Sequence, residues 1–193
     1  MEPVTTISGA VTVLDRADVD TDQIIPKQFL KRIERTGFGE FLFYDWVRSG
    51  EVSLAPNPIL ATGRNFGCGS SREHAVWAIQ QFGFAAVVAP SFSDIFWSNA
   101  TKNGLLPVAL DEADVRTLME AGRARIDLAS QTVSFADRTA TFDIDPEIKR
   151  RLLGGLDDIA ITLTHDADIA DFEAQASHPA PSTAGLERGR DAS

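Results

Sequence analysis

The sequence has few of the residues that hold disulfide-rich or metal-rich proteins together. It contains a single cysteine, Cys68, among 193 residues. One thiol excludes a disulfide scaffold, a zinc ribbon and any cluster held by several thiolates of this chain. A chain of this length buries about two-thirds of the surface of its unfolded state, so it needs no disulfides to fold. An unpaired thiol also predicts a reducing, cytoplasmic environment.

The sequence also lacks an excess of positive charge and any long hydrophobic run. Acidic residues number 28 and basic residues 18, which gives a net charge of −10. This balance argues against a nucleic-acid partner, because phosphate backbones are bound by surfaces rich in lysine and arginine. The first residues are polar and acidic, so no targeting segment is expected. The uncharged stretch 74–93 contains two glutamines, Gly83 and Pro90, and therefore predicts a core helix and strand, not a membrane span.

Strand and helix patterns alternate along the chain, which predicts a mixed α/β domain over residues 1–175. The predicted strands are 7–14, 59–62, 85–89 and 105–108, followed by a β-meander of 124–128, 131–135 and 139–144. The predicted helices are 26–33, 38–47, 72–82, one capped by Ser91 and ended by Gly104, 111–122, 145–154 and 166–174. Residues 176–193 contain one large apolar residue and are expected to form a disordered tail.

A glycine-rich loop at residues 63–71 is the most informative segment. Gly67 and Gly69 allow close approach of the backbone to a ligand. Ser70 and Ser71 lie at the predicted helix start, where backbone N–H groups have no helical partner and the helix dipole is positive. Arg72 adds a permanent cation whose planar fork suits a carboxylate. Helix capping explains one serine, whereas the whole set predicts a cradle for a carboxylate or phosphate.

Several familiar catalytic and metal motifs do not fit this chain. The loop has no lysine where a Walker A motif needs one, and neither serine has the glycine of a hydrolase elbow. The aspartates at 18, 20 and 22 resemble the start of a calcium loop, but Gln23 and Phe29 occupy positions that require glycine and glutamate. Cys68 and His74 are a candidate thiol–imidazole pair, although a separation of six residues across a loop-to-helix junction does not ensure contact.

Four segments together resemble one enzyme family. Residues 63–75, GRNFGCGSSREHA, resemble the signature of the swivelling domain of aconitase-type hydro-lyases. Residues 20–32, DTDQIIPKQFLKR, resemble the small subunits of bacterial 3-isopropylmalate dehydratases. The segments 102–107, KNGLLP, and 155–159, GLDDI, also match that family. The resemblance follows the order of the chain over residues 1–175.

The resemblance implies a β/β/α swivelling domain, with a mixed sheet and helices on one side. It implies a hydro-lyase of leucine biosynthesis that converts 2-isopropylmalate to 3-isopropylmalate by removing and re-adding water. No metal or cofactor is expected on this chain. A separate large subunit, forming a heterodimer with it, is expected to carry a 4Fe–4S cluster.

The same resemblance assigns roles to individual residues. Ser70 would be the base that takes the proton from carbon, and Ser71 and Arg72 would hold a carboxylate of a small dicarboxylate substrate. Phe29, Leu30 and Lys31 would belong to the substrate-specificity loop. Since nothing on this chain activates a hydroxyl leaving group, the isolated chain is expected to be inactive.

Alternatives from other classes remain open at this stage. The scaffold could serve a related substrate, such as homoaconitate or a methyl-substituted malate, or it could be a non-catalytic anion-binding module. Phe29 and Leu30 could also be ordinary core residues of a short helix.

Overall fold

A mixed seven-stranded sheet forms the centre of the computed structural model. The structure describes residues 1–31, 36–70, 72–163 and 166–175. The strands are β1 (Thr6–Leu14), β2 (Ile59–Thr62), β3 (Ala86–Ala89), β4 (Leu106–Ala109), β5 (Arg123–Asp127), β6 (Thr132–Phe135) and β7 (Arg138–Thr141). Their spatial order is β4-β3-β2-β1-β5-β6-β7. Strands β1 to β4 pair in parallel, and β5 to β7 extend the sheet as an antiparallel meander.

Short helices connect the strands in the part of the chain up to residue 157. They are α1 (Thr21–Ile24), α2 (Tyr44–Ser49), α3 (Glu73–Phe82), α4 (Asp94–Asn103), α5 (Glu112–Ala121) and α6 (Pro146–Gly154), with 3₁₀ turns at Lys27–Lys31 and Gly39–Phe41. The unit β2–α3–β3 is the predicted βαβ crossover. Its loop therefore lies at the carboxyl end of β2, where open α/β sheets bind ligands.

Apolar cores lie on both faces of the parallel half of the sheet. Leu60 and Val87 point into a core shared with α3 and α4. Ile59 and Val88 point into the opposite core, which contains residues of α5 and α6. The expected fold class, a mixed sheet with helices, is confirmed. The expectation of helices on one side is wrong, because parallel strands that are apolar on both faces need cover on both.

Two local predictions fail because tertiary contacts decide the backbone. The predicted helix 38–47 is interrupted at Phe43, which is fully buried, has a φ of 49° and donates its N–H to the Ile24 carbonyl. The predicted cap at Ser91 is wrong, because Ser93 is the N-cap of α4 and accepts from Phe96 N–H. Asp20 and Gln23 form a capping box that makes α1 a one-turn helix where a turn was expected.

Two further helices, α7 (Asp158–Leu163) and α8 (Asp166–Gln175), form a separate unit of the described chain. The sequence patterns predict α8 and miss α7. The predicted disordered tail, 176–193, lies outside the described residues. Among the described residues, no helix is long and apolar enough to cross a bilayer.

Candidate functional site

The glycine-rich loop extends the parallel sheet beyond the carboxyl ends of β1, β2 and β3. Cys68 bridges to Asp20 on one side, and Phe66 bridges to Phe92 on the other, both in the parallel sense. The Val19 carbonyl accepts from Gly67 N–H at 2.8 Å and from Cys68 N–H at 3.1 Å. The loop is therefore fixed through its own backbone between two neighbouring segments.

Ser93 ties the far side of this loop to helix α4. Its hydroxyl donates to the Gly67 carbonyl at 2.6 Å and accepts from Phe96 N–H, and its own N–H donates to the Phe66 carbonyl. Gly67 has a φ of +75°, and a Cβ at that position would overlap the Phe96 ring. Glycine is needed here for both the backbone angle and the close packing.

Gly69 lies directly against the N-cap of α1. Its φ is +90°, and an added Cβ would overlap the carboxylate of Asp20. That carboxylate accepts from Asp22 N–H at 2.6 Å, while Gln23 closes the capping box on the Asp20 N–H. The backbone of the loop is consequently packed against the Asp20 side chain at the start of α1, which brings residues 20–23 to the site.

Arg72 is held by an ion pair with Asp22. One guanidinium nitrogen, Nη1, meets Asp22 Oδ1, and the Arg72 side chain is only 13% exposed. The second oxygen of Asp22, Oδ2, lies 3.0 Å from Lys27 Nζ. Asp22 therefore joins the predicted cradle to the 3₁₀ turn Lys27–Lys31, which contains the predicted specificity-loop residues.

Ser70 is held through its backbone by the residue next to Asp22. The buried Thr21 hydroxyl donates to the Ser70 carbonyl at 3.0 Å, and Thr21 N–H donates to the Cys68 carbonyl at 2.9 Å. The Ser70 residue itself is exposed to solvent. Its position is fixed by the fold, but the described part of the chain leaves it open to water.

Helix α3 begins at Glu73, with Arg72 as its N-cap residue. The expectation that Ser70 lies at the helix start is therefore correct to within a few residues, and the predicted helix 72–82 is confirmed. Among the described residues no side chain caps α3. Its first N–H groups and positive dipole end point toward the cradle, which favours a bound anion. Ser71 lies outside the described residues.

Phe29, Leu30 and Lys31 occupy different environments. The Phe29 ring stacks on Phe41 at a centroid distance of 3.9 Å and meets Tyr44 edge-on at 4.9 Å. Leu30 is half-buried and packs against the same core, and Lys31 is exposed. Phe29 thus serves at least as an anchor for this turn, whereas Leu30 and Lys31 retain surface that could meet a ligand.

Cys68 and His74 have the properties of neutral packing residues. Burial raises the pKa of the Cys68 thiol, and the carboxylates of Asp20 and Asp18 raise it further. Burial lowers the pKa of His74, whose ring contacts Phe38 and Trp77 at centroid distances of 5.3 Å and 4.8 Å. A protonated thiol and an imidazole packed between aromatic rings do not form an activated nucleophile.

Sequence reasoning missed the supporting residues Thr21, Asp22 and Ser93. The signal for the first two was present, since the pattern Asp20-Thr21-Asp22-Gln23 fits a capping box. The pattern does not show which residue the Thr21 hydroxyl contacts, because Thr21 and Ser70 are 49 positions apart in the sequence. Among the described residues, no group of three or more histidines, cysteines, aspartates or glutamates could hold a metal ion.

Comparison with known proteins first defines the class. Residues 53–113 match the family described as the aconitase C-terminal domain. This span covers β2, the glycine-rich loop, α3, β3, α4 and β4. The loop described above is thus part of an aconitase-type domain.

Similarity over the whole chain defines the family more narrowly. A 3-isopropylmalate dehydratase small subunit from Halalkalibacterium halodurans is 51% identical, covering 90% of this chain and 98% of its own length. A 3-isopropylmalate dehydratase small subunit from Rubrobacter xylanophilus is also 51% identical, and the match covers 90% of this chain and 94% of the relative. A crystal structure of 3-isopropylmalate dehydratase from Methanocaldococcus jannaschii is 26% identical, with a TM-score of 0.70, covering 86% of this chain and 99% of that one. The chain belongs to the family of 3-isopropylmalate dehydratase small subunits.

Proposed function

We propose that this chain is the small subunit of a hydro-lyase that interconverts 2-isopropylmalate and 3-isopropylmalate in leucine biosynthesis. The observation that carries the proposal is the anion cradle at the carboxyl edge of the sheet. It combines an exposed serine, a nearly buried arginine and a helix start that no described side chain caps. The identity of about 50% with relatives of that name supports the same substrate class.

Ser70 acts as the base that removes the proton from carbon, and Arg72 holds a substrate carboxylate together with Ser71. Arg72 meets Asp22 through Nη1 alone among the described contacts, and its other N–H groups would make a bidentate contact with the substrate carboxylate. The N-terminus of α3 adds a favourable potential for the same carboxylate. Leu30 supplies an apolar wall for the isopropyl group, and Phe29 and Lys31 complete the specificity loop.

The chain supplies half of an active site. Loss of a hydroxyl group needs a Lewis acid or a proton donor, and the 4Fe–4S cluster of a partner large subunit would polarise that leaving group. One cysteine does not fit a cluster held by several thiolates, so the cluster does not belong on this chain. The exposed Ser70 becomes enclosed when the large subunit docks. Residues 1–175 act as the swivelling domain, and the single thiol is consistent with the cytoplasm.

Co-expression with a cluster-bearing large subunit tests this function. The purified pair is expected to convert 2-isopropylmalate under anaerobic conditions, and the isolated chain is expected to show no turnover. A stable pair that prefers homoaconitate or a methyl-substituted malate would keep the hydro-lyase assignment and change the assigned substrate. Turnover by the isolated chain would overturn the half-site assignment, and a pair without hydro-lyase activity would overturn the function.

Replacing Leu30 with arginine is expected to change substrate preference. A cation in place of the apolar wall disfavours the isopropyl group and favours an acid with an additional carboxylate. The ratio of kcat/KM values should shift by about 10-fold or more, since a contact of this size is worth ~1–3 kcal/mol. The readout is competition between 2-isopropylmalate and an acid with one more carboxylate, assayed on the assembled enzyme.

Leu54→Arg provides the matched control for this variant. Leu54 is also half-buried and packs against the same core, but it lies outside the specificity loop. The control should lose stability without changing the preference. An unchanged ratio of kcat/KM values in Leu30→Arg, or the same change in both variants, would contradict the proposed role of Leu30 in substrate specificity.

A further inference from the structure

We infer that Thr21 and Asp22, two successive residues of α1, act together as a positioning clamp for Ser70 and Arg72. This inference rests on the roles proposed above for those two residues. Thr21 and Asp22 themselves are not placed in contact with the substrate. Their effect is to fix the hydroxyl of one residue and the guanidinium of the other in a single geometry.

The first half of the clamp is the Thr21 side chain. It is 2% exposed, and its hydroxyl donates to the Ser70 carbonyl at 3.0 Å while its N–H donates to the Cys68 carbonyl at 2.9 Å. Gly69, between those two carbonyls, has a φ of +90° and the conformational freedom of glycine. The Thr21 hydroxyl therefore fixes the loop where glycine would otherwise leave it free to turn.

The second half is the Asp22 carboxylate. One oxygen pairs with Arg72 Nη1 and the other lies 3.0 Å from Lys27 Nζ. Arginine has many rotamers, and a partner that holds one edge of the guanidinium directs the remaining N–H groups. Asp22 N–H is itself held by Asp20, so the backbone beneath this carboxylate is also fixed.

The two contacts come from one rigid element. Helix α1 is closed at its start by the reciprocal capping box of Asp20 and Gln23. Thr21 and Asp22 are adjacent in this helix, and they contact Ser70 and Arg72 respectively. A displacement of the reacting groups by about 1 Å can cost about 100-fold in rate, so such support has a measurable effect.

Variants of the two residues in the assembled two-subunit enzyme test the clamp. Thr21→Val keeps the shape and removes the hydroxyl, and it is expected to lower kcat by about 10- to 100-fold with little change in KM. Thr21→Ser restores the hydroxyl and should recover most of that loss. Asp22→Asn is expected to raise KM by about 10-fold, because Arg72 loses the charge that directs it.

Matched controls separate positioning from stability. Thr12→Val removes another buried threonine hydroxyl, which donates to the Ala55 carbonyl at 2.9 Å. Asp114→Asn removes another carboxylate paired with an arginine, at 3.3 Å from Arg138. Both controls should leave kcat and KM unchanged whatever their effect on the thermal unfolding midpoint, whereas the clamp variants change the kinetic constants. If the Thr21→Val variant does not fold, the Thr21→Ala variant is used for the same kinetic test, because its side chain is smaller.

The outcomes distinguish this inference from the proposed function. Clamp variants that behave like their controls, in an enzyme that Ser70→Ala and Arg72→Lys disable, would overturn the clamp alone. An enzyme indifferent to Ser70→Ala and Arg72→Lys would overturn the proposed roles. A kcat effect from Thr21 that serine rescues, together with a KM effect from Asp22, supports the clamp.

Discussion

Replacing Ser70 with alanine is expected to lower kcat of the assembled enzyme by about 100- to 10 000-fold, the range for loss of a positioned proton acceptor. KM should change little, because the backbone carbonyl of residue 70 still accepts the Thr21 hydroxyl and Arg72 is untouched. The measurement is anaerobic steady-state conversion of 2-isopropylmalate by the variant small subunit paired with its large subunit.

The size of this effect follows from what it takes to make serine a base. A serine hydroxyl is a weaker acid than tyrosine, whose pKa is ~10, so ionising it at pH 7 costs more than ~4 kcal/mol. A helix N-terminus supplies at most ~2 kcal/mol, and α3 begins only at Glu73. Arg72 and the exclusion of water on docking must supply the rest. Ser70 is exposed here, and under the proposed function it would gain that environment only when the large subunit docks.

Ser98→Ala serves as the control for this substitution. Ser98 is an exposed serine of α4, so this substitution removes the same hydroxyl group at a position outside the loop. Full activity of Ser98→Ala beside a disabled Ser70→Ala would support the assignment. Retention of kcat within a few-fold in Ser70→Ala would contradict it and leave the loop as an anion cradle without a base.

Most of the parallel core could be predicted from the sequence, because β2, β3 and β4 are short apolar runs and β1 shows an alternating pattern. The strand Ile59–Thr62 was predicted at its observed bounds, and α5 was predicted from Asp111 and Gly122, which do flank it. Local patterns failed where distant contacts set the backbone. Phe43 is the clearest case, because burial and the bond to Ile24 interrupt what looks like a continuous helix.

The candidate site likewise has a part that local sequence patterns predict and a part that depends on contacts distant in the sequence. The glycines, the serines and Arg72 are contiguous, so the cradle could be predicted from the loop and the helix that follows it. The support from Thr21 and Asp22 could not, because it depends on the parallel bridge between Asp20 and Cys68. The placement of Ser93 failed for a similar reason, since the Ser91 side chain is engaged by Asn65 N–H at 2.9 Å and leaves the cap to Ser93.

Replacing Arg72 with lysine is expected to lower kcat/KM by about 100-fold, with most of the loss in KM. The charge is retained, so a change this large reports the lost fork geometry and not the lost charge. Arg72 meets Asp22 through one nitrogen, and in its proposed role it also binds a substrate carboxylate through the others. A lysine ammonium cannot make both contacts in one plane, and in this site Asp22 would compete with the substrate for it.

Arg138→Lys is the matched control, because Arg138 pairs with Asp114 at 3.3 Å on the surface, where either cation suffices. The measurement is KM and kcat for 2-isopropylmalate in both assembled variants. Combining Arg72→Lys with Asp22→Asn sharpens the test, since removal of the competing carboxylate should return part of the lost affinity. If the KM of the Arg72→Lys variant is close to that of the unsubstituted enzyme, bidentate binding of the substrate carboxylate by Arg72 is contradicted. A double variant worse than the product of the single effects would contradict competition by Asp22.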